Sequence, residues 1–439
     1  MSRMNPLRPL LVSALLSLPL FASETDAPKA GEPGGPGLAI KSSKILTCTL
    51  EGRGVVDRGI VLVRDGKIEA VGEARALVVP DDYELVDVGN QWLMPGLIDL
   101  HCHAGAIESL MVNDLNDGVF LANPGLRAIV ATKAGNKRLL LGLQAGVTSV
   151  LVIPGSGTNI GGWGVLLKTG HDRFEEMLIR NPGSLKVAQW GNPESWGPGV
   201  GKSFENWTIG DTFERGLGYA QRWAEYEKSG GEEPLVNPQW EIFRHLLAKN
   251  TQASVHTQMY QVVLQTIMQL KGEFGIDVYI DHGSVGAWRT GDIAQKMGVP
   301  AIVGPRAADT IVRGFINWGQ LGAEDVGFRG LAAGYQQRGL ELIGFNTDSP
   351  VIPQTELQLQ AGMAVRYGFD DGKMAAVRGL TIVPAVAAGI ENRVGSLEPG
   401  KDADILVISG HPGDPRSVID RVWLDGVDVY DSSKERRRW

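Results

Sequence analysis

The chain has 439 residues, of which 43% are hydrophobic and 21% are charged. This composition is typical of a globular protein and excludes a chain that is mainly disordered, collagen-like or coiled-coil. Two cysteines are too few for a disulfide scaffold, and a net charge of −8 opposes binding to nucleic acid. At roughly 150 residues per domain, the length allows about three domains, or one large domain with an appendage. The 58 glycines indicate many tight loops on a rigid scaffold.

Residues 1–22 are predicted to form a secretory signal peptide. Arg3 and Arg8 precede an apolar stretch at 10–22, which is too short to span a bilayer but has the length of a signal h-region. Cleavage is expected after Ala22, and residues 23–37 are predicted to be a linker. A buried N-terminal helix is the alternative. No later segment approaches ~18 uninterrupted apolar residues, so we expect an exported protein, periplasmic or extracellular, without a membrane span.

Both ends of the chain carry β-strand patterns. Residues 60–63 and 68–71 are apolar runs joined through Asp65-Gly66, which is a strong hairpin signal. Near the other end, residues 403–409 and 419–424 have strand composition, and Asp425-Gly426 follows the second run. We therefore predict one small β-sandwich domain that is built from residues 38–92 and 391–439.

The middle of the chain, residues 93–390, alternates short apolar runs with longer stretches of helical periodicity. Eight runs have the composition of buried strands, at residues 97–100, 149–153, 165–168, 185–188, 253–255, 278–280, 301–303 and 342–345. Eight strands that alternate with helices predict an α/β fold, a (β/α)8 TIM-like barrel. A doubly wound sheet has the same local pattern, but no Gly-x-Gly-x-x-Gly follows an early strand.

Histidines and an aspartate follow four of the predicted strands. His101 and His103 come directly after the first strand, and residues two apart on a strand project from the same face. His256 and His282 end the fifth and sixth strands, and Asp348 lies just past the eighth. Active sites form at the carboxyl ends of barrel strands, so these side chains are predicted to converge. Imidazole and carboxylate suit zinc, and also iron, manganese or cobalt, which predicts a site for a divalent metal ion.

Two motifs resemble the amidohydrolase superfamily. Residues 93–103, Leu-Met-Pro-Gly-Leu-Ile-Asp-Leu-His-Cys-His, resemble its first barrel strand, and residues 394–404 resemble its return into the small β domain. The resemblance covers roughly residues 38–431 and is nearest to the imidazolonepropionase-like branch, which includes secreted dipeptidases. The roles that it implies are metal ligation by His101, His103, His256 and His282, and metal ligation with proton transfer by Asp348.

Lys186 lies in the predicted fourth strand. In members of this branch with two metal ions, a lysine here is carboxylated and bridges the ions, and the resemblance implies the same for Lys186. An ammonium has no lone pair, whereas a carboxylated lysine offers anionic oxygen donors. The alternative is an ordinary lysine that extends from the strand or pairs with a carboxylate. The number of metal ions, one or two, stays open.

The chemistry predicted for this site is hydrolysis. A bound metal ion lowers the pKa of water toward ~7 and can polarise a carbonyl group. Asp348 would accept a proton from water and deliver it to the leaving nitrogen. His282 would bind a second metal ion or, in a site with one metal ion, stabilise the oxyanion.

Four residues are predicted to contact the substrate. Trp163 and Trp190 are expected in loops after the second and fourth strands, and Arg289 and Arg306 after the sixth and seventh. Aromatic side chains could line a pocket, and an arginine could hold a carboxylate. The alternative for each residue is loop packing or surface charge. Cys102, between two proposed ligands, is predicted to point away from the metal by strand alternation.

We therefore expect an exported, metal-dependent hydrolase that cleaves a C–N bond in a small-molecule amide or a dipeptide. Hydrolysis of a cyclic amide, a lactone or a phosphoester is an alternative within this class. A non-catalytic binding protein that retains the fold is the alternative from another class. Barrel enzymes often associate, so the sequence is also compatible with a homo-oligomer.

Overall fold

The fold is described from a computed structural model of the chain. The structure describes residues 35–52, 54–105, 115–189, 193, 199–305, 308–309 and 329–434. The predicted signal peptide, most of the predicted linker, Trp190 and Arg306 lie outside the described residues. Within those ranges, every helix is too short or too polar to cross a membrane.

Both ends of the chain contribute to one eight-stranded sheet, as the sequence predicts. The N-terminal part supplies β1 (Gly37–Leu46), β2 (Val55–Arg64), β3 (Lys67–Glu73), β4 (Tyr83–Asp87) and β5 (Trp92–Pro95). The C-terminal part supplies β16 (Ile405–Ile408), β17 (Ile419–Leu424) and β18 (Val427–Asp431). The strand order is β18-β17-β16-β5-β1-β2-β3, with β4 paired to β1. The strands β5 and β16 join the two parts, so neither part forms the sheet alone.

Two tight hairpins fix the register of this sheet. Asp65 and Gly66 join β2 to β3 with φ angles of 48° and 74°, and Asp425 and Gly426 join β17 to β18 with 50° and 75°. Positive φ at both central residues is the requirement of a type I′ turn, whose twist matches that of the strands. The hairpin prediction from the two Asp-Gly pairs is confirmed.

The middle of the chain forms a second eight-stranded sheet that nearly closes into a barrel. Its strands are β6 (Leu97–Cys102), β7 (Val147–Val152), β8 (Ile160–Lys168), β9 (Leu178–Ala188), β10 (Ala253–Thr257), β11 (Val278–His282), β12 (Ala301–Val303) and β15 (Ile343–Phe345). They are hydrogen-bonded in chain order from β6 to β15. Within the described part of the chain, an isolated bridge between Cys102 and Ser349 spans the seam between the first and last strands. The predicted barrel is confirmed.

One strand departs from the regular (β/α)8 pattern. The strand β8 runs antiparallel to both β7 and β9, whereas the other neighbouring strands are parallel. Parallel neighbours need a crossover of about a dozen residues or more, and residues 153–159 between β7 and β8 are too few for one. Trp163 therefore lies inside β8, and its prediction in a loop after the second strand was wrong.

Helices cover the outside of the barrel and connect its strands. They are α1 (Lys137–Gln144), α2 (Phe174–Met177), α3 (Lys202–Ser229), α4 (Glu241–Leu247), α5 (Tyr260–Thr266), α6 (Gly291–Met297), α7 (Leu331–Gln337), α8 (Leu357–Arg366), α9 (Ala375–Arg378) and α10 (Ile382–Ala388). Short 3-10 helices occupy Ala128–Ala131, Ala287–Thr290 and Gln354–Glu356, and a π-helix, Ile267–Glu273, continues α5. Two short strands, β13 (Ala308–Asp309) and β14 (Arg329–Gly330), pair with each other.

A buried cluster of charges joins the barrel to the small sheet. Because β8 runs backwards, its last residue, Lys168, lies at the amino ends of the other barrel strands. The Lys168 ammonium is 2.9 Å from Asp402 Oδ2 and 2.9 Å from Asp404 Oδ1, and it also contacts Asp425. Burial alone would lower the pKa of Lys168, but the three carboxylates raise it above its usual range. The ammonium therefore stays charged and holds the two domains together.

We expect Lys168→Met to lower the free energy of unfolding by about 3–5 kcal/mol, because it removes the buried cation that contacts Asp402, Asp404 and Asp425. The matched control is Lys41→Met, which breaks the half-exposed pair between Lys41 and Asp87 and should cost less than about 1 kcal/mol. Urea denaturation followed by tryptophan fluorescence measures both losses. Equal losses in the two variants would contradict a role for Lys168 between the domains.

Candidate metal centre

Six predicted site residues meet at the carboxyl ends of the barrel strands. They are His101 and His103 at the end of β6, Lys186 in β9, His256 in β10, His282 at the end of β11, and Asp348 after β15. His101 Nε2 lies 3.2 Å from His103 Nε2, and each of these nitrogens lies 3.3 Å from Asp348 Oδ1. Two nitrogens from the end of β6 and one oxygen from the turn after β15 thus surround one point.

A second pair of imidazoles lies beside the other oxygen of the same carboxylate. His256 Nδ1 is 2.9 Å from His282 Nε2, which is in turn 4.0 Å from Asp348 Oδ2. The rings of His101 and His282 are 4.5 Å apart between centroids, so the two pairs are adjacent. Asp348 therefore stands between two histidine pairs and directs one oxygen to each.

Backbone carbonyl groups fix the tautomer of two of these histidines. His103 Nδ1 donates to the carbonyl oxygen of Ile153 at 2.8 Å, and His282 Nδ1 donates to that of Gly304 at 2.7 Å. A carbonyl oxygen only accepts, so in the neutral rings the proton is on Nδ1 and the lone pair is on Nε2. Both lone pairs then face the centre of the site, which is how metal-binding histidines are usually held.

The donor set fits a divalent metal ion. His101, His282 and Asp348 offer ligand atoms that all lie within 4.8 Å of one another. Lone pairs that face each other across 3.2 Å, as at His101 and His103, repel unless a cation or a proton lies between them. Nitrogen and carboxylate oxygen are ligands for zinc, iron, manganese or cobalt.

Burial and charge set the protonation states that metal binding requires. Burial lowers the pKa of His101 and of His256 well below the usual range, and the neighbouring Lys186 and His282 lower these values further. Burial alone would raise the pKa of Asp348, but the imidazoles of His101, His103 and His282 lower it well below its usual range. At neutral pH His101 and His256 are therefore neutral imidazoles and Asp348 is a carboxylate, which are the forms that bind metal ions.

Two residues of the site adopt left-handed backbone conformations. The φ angle is 70° at His282 and 50° at Asp348. Such conformations cost about 1–3 kcal/mol in a residue other than glycine, and they cluster at functional sites. The left-handed conformation at His282 bends the chain at the end of β11. Both Asp281 and His282 can therefore reach the site, although consecutive residues of a regular strand point to opposite faces.

The sequence prediction did not include three side chains that contact the proposed ligands. Asp281 Oδ2 is 2.9 Å from His101 Nδ1, and Ser156 Oγ is 2.8 Å from His256 Nδ1. Asp99, two residues before His101, accepts a hydrogen bond from the His101 backbone N–H at 3.2 Å. Asp281 directly precedes His282, and Asp99 lies two residues before His101, each in an otherwise apolar strand. That placement was the signal from which both aspartates could have been predicted.

Lys186 is fully buried and lacks the carboxylate partners that surround Lys168. Its amine lies 3.3 Å from His101 Nε2, and among the described residues no carboxylate is within ion-pair distance of it. Burial lowers the pKa of Lys186 to about 8, although Asp281 and Asp348 oppose the change. A buried amine with this pKa is partly neutral near pH 7, and a neutral amine can react with carbon dioxide.

The proposed substrate contacts receive less support from the geometry. Trp163 is buried, donates its indole N–H to the carbonyl oxygen of Pro124 at 2.9 Å, and has the Arg127 guanidinium 4.2 Å from its ring centre. Its ring also packs on His245 of α4, so it faces the helices outside the barrel. Arg289 lies in the 3-10 helix after β11, with its guanidinium 5.6 Å from the Trp288 ring. Its role in binding substrate stays a prediction.

The barrel and its converging donors define a class of protein, the metal-dependent hydrolases that use this fold. The family model for the Amidohydrolase family matches residues 332–429. A solved structure of an amidohydrolase from Thermotoga maritima MSB8 is 30% identical, with a TM-score of 0.76, and the match covers 90% of this chain and 100% of that one. The chain therefore belongs to the amidohydrolase family, as the two sequence motifs indicate.

Two curated relatives are similar over most of the chain. The amidohydrolase tasK of Hapsidospora irregularis is 25% identical over 408 residues, which is 86% of this chain but 40% of that protein. The imidazolonepropionase of Mesorhizobium japonicum is 23% identical over 406 residues, which is 86% of this chain and 93% of that protein. The chain thus spans less than half of the first relative and nearly all of the second.

If Lys186 is carboxylated, zinc-loaded protein prepared with ¹³C-labelled bicarbonate should show a carbamate signal in its ¹³C NMR spectrum. Lys186→Met should abolish this signal, because the reacting amine is removed. Lys41→Met, which changes an exposed lysine, is the matched control and should retain it. A wild-type spectrum without the signal, or a signal that survives Lys186→Met, would rule out carboxylation at this position.

Proposed function

We propose that the protein hydrolyses a C–N bond in a small-molecule amide or a dipeptide and that Asp348 transfers the proton. The observation that carries this proposal is the position of Asp348, with one carboxylate oxygen beside His101 and His103 and the other beside His282. Membership of the amidohydrolase family supports the reaction class. A zinc ion is the proposed metal, because imidazole and carboxylate donors suit it.

A divalent metal ion held by these histidines would lower the pKa of water and polarise a carbonyl group. His101, His103, His256 and His282 would hold it. Asp348 is suited to move a proton because its side chain is 16% exposed, whereas that of Asp281 is 0% exposed. A water or substrate molecule can therefore reach Asp348. The Asp348 carboxylate would accept a proton from water and then deliver that proton to the leaving nitrogen.

The hydrogen bond from His282 to Gly304 favours one of the two roles considered for His282. An oxyanion needs a donor, but the Nδ1 proton of His282 is already given to the Gly304 carbonyl at 2.7 Å. In the neutral ring, Nε2 then has only a lone pair to offer. We therefore propose that His282 is a metal ligand.

The alternative functions make different demands on the site. Cyclic amides, lactones and phosphoesters are hydrolysed by the same kind of chemistry, so they are alternative substrates at the same residues. A non-catalytic binding protein would not need a solvent-accessible carboxylate between two histidine pairs. The position of Asp348 therefore favours an enzyme.

Asp348→Asn should lower kcat by orders of magnitude, because the amide cannot accept a proton, while the histidines retain the metal. The assay uses dipeptides, N-acyl amino acids and cyclic amides, and elemental analysis gives the metal content of each variant. Asp414→Asn changes a half-buried aspartate that pairs with Arg416 in the small sheet domain, and it is the matched control. Unchanged turnover in Asp348→Asn would refute its role. Wild-type protein that takes up no metal under any reconstitution would favour the binding protein.

We also propose that the protein is exported, with cleavage after Ala22. Arg3, Arg8 and the apolar stretch at 10–22 support this proposal. Fractionation of producing cells should place the full-length chain outside the cytoplasm, with a mature N-terminus at Ser23. A chain that lacks residues 2–22 should stay in the cytoplasm, and full-length protein found there with its N-terminus intact would contradict export.

A further inference from the structure

We propose that Asp99 is a positioning residue that holds the turn carrying Asp348 against β6. Asp99 is fully buried in β6, two residues before His101. The turn at 347–350 follows β15, the last strand of the barrel. This inference rests on the proposed function, because Asp99 matters for catalysis only if Asp348 transfers the proton.

The need for such a residue arises at the seam of the barrel. The strands β6 and β15 are the two ends of the hydrogen-bonded order, so no regular ladder joins them. The described backbone contacts across the seam near the site are the Cys102–Ser349 bridge and the hydrogen bond from His103 N–H to the Ser349 carbonyl at 2.7 Å. Other groups must therefore hold the residues that directly precede Asp348 against β6.

The carboxylate of Asp99 supplies these contacts with both of its oxygens. Oδ1 accepts the backbone N–H of His101 at 3.2 Å and that of Thr347 at 3.3 Å. Oδ2 accepts the hydroxyl of Thr347 at 2.5 Å and the side-chain amide of Gln354 at 3.3 Å. One buried carboxylate thus ties β6, the residue before Asp348 and the following 3-10 helix together.

The hydroxyl of Thr347 extends this contact to the other side of Asp348. It donates to Asp99 and accepts the backbone N–H of Ser349 at 3.1 Å. Asp348 is therefore flanked by two residues that are both fixed through Asp99. Because its own φ of 50° lies in an unfavourable region, the surrounding contacts must maintain that conformation. Without these contacts the turn would relax. Asp348 Oδ1 would then move away from His101 and His103, whose Nε2 atoms now lie 3.3 Å from it.

The first test measures the turn without any metal. Hydrogen exchange of peptides that cover residues 346–352 is compared in chelator-treated wild type, Asp99→Ala, Asp99→Asn and Thr347→Val. We expect faster exchange in Asp99→Ala, because the Thr347 amide loses its acceptor and the Thr347 hydroxyl, which accepts from the Ser349 amide, loses the carboxylate that orients it. Asp99→Asn should restore much of the protection, since its oxygen can still accept both backbone N–H groups and the Thr347 hydroxyl can rotate to accept. Thr347→Val should expose the Ser349 amide and largely spare that of Thr347.

The second measurement is the affinity for Co²⁺, followed by absorption. Loss of a residue that orients ligands typically weakens metal binding or activity 10–100-fold. We expect a weakening in this range for Asp99→Ala, a smaller one for Asp99→Asn, and a fall in kcat larger than any rise in KM. A pure loss of stability would leave the Co²⁺ affinity of the folded protein unchanged.

The matched control is Asp404→Ala, which removes another buried aspartate at the opposite end of the barrel. Its carboxylate contacts Lys168 and the Asp425 backbone N–H. We expect a lower thermal midpoint but wild-type exchange at 346–352 and wild-type Co²⁺ affinity. Unchanged exchange there in both Asp99→Ala and Thr347→Val would overturn the proposal. If wild-type protein binds no Co²⁺ while exchange rises in Asp99→Ala, the proposed function fails and the positioning by Asp99 stands.

Discussion

The mutual repulsion of imidazole lone pairs is the constraint on which the site depends. Carbonyl groups of Ile153 and Gly304 hold the protons of His103 and His282 on their outer nitrogens, so the inner nitrogens carry lone pairs. Those lone pairs face neighbouring ring nitrogens and the carboxylate of Asp348. Such an arrangement is unfavourable by itself and favourable around a cation, which is why the geometry fits a metal centre.

The two fully buried lysines show how position in the barrel changes the chemistry of one side chain. Lys168, at the end of the reversed strand β8, is surrounded by three aspartates that keep it charged. Lys186, at the opposite end, has its amine 3.3 Å from His101 Nε2, and burial lowers its pKa to about 8. The first lysine therefore joins two domains, whereas the second lies beside the proposed metal ligands.

Much of the fold and of the candidate site could be predicted from the sequence. All eight apolar runs lie at barrel strands, and the side chains of His101, His103, His256, His282 and Asp348 meet as expected. Cys102 packs in the core outside the barrel, as strand alternation indicates. The sequence prediction missed the antiparallel direction of β8, although the short connection at 153–159 forbids a crossover. It therefore also placed Trp163 in a loop instead of inside β8. Asp281 and Asp99 were missed because the side chains that they contact, those of His101, Thr347 and Gln354, are mostly remote from them in sequence.

The sequence by itself determined the strands, the two Asp-Gly hairpins and the residues at the strand ends, because these features depend on patterns a few residues long. Only the tertiary structure decided which nitrogen of each histidine faces the centre, which buried lysine has counter-charges, and how Asp348 is held at the seam. Each of these depends on groups far apart in the chain, such as Gly304 beside His282 and Thr347 beside Asp99. Lone-pair directions, burial and charge pairing arise only when the closed barrel brings those groups together.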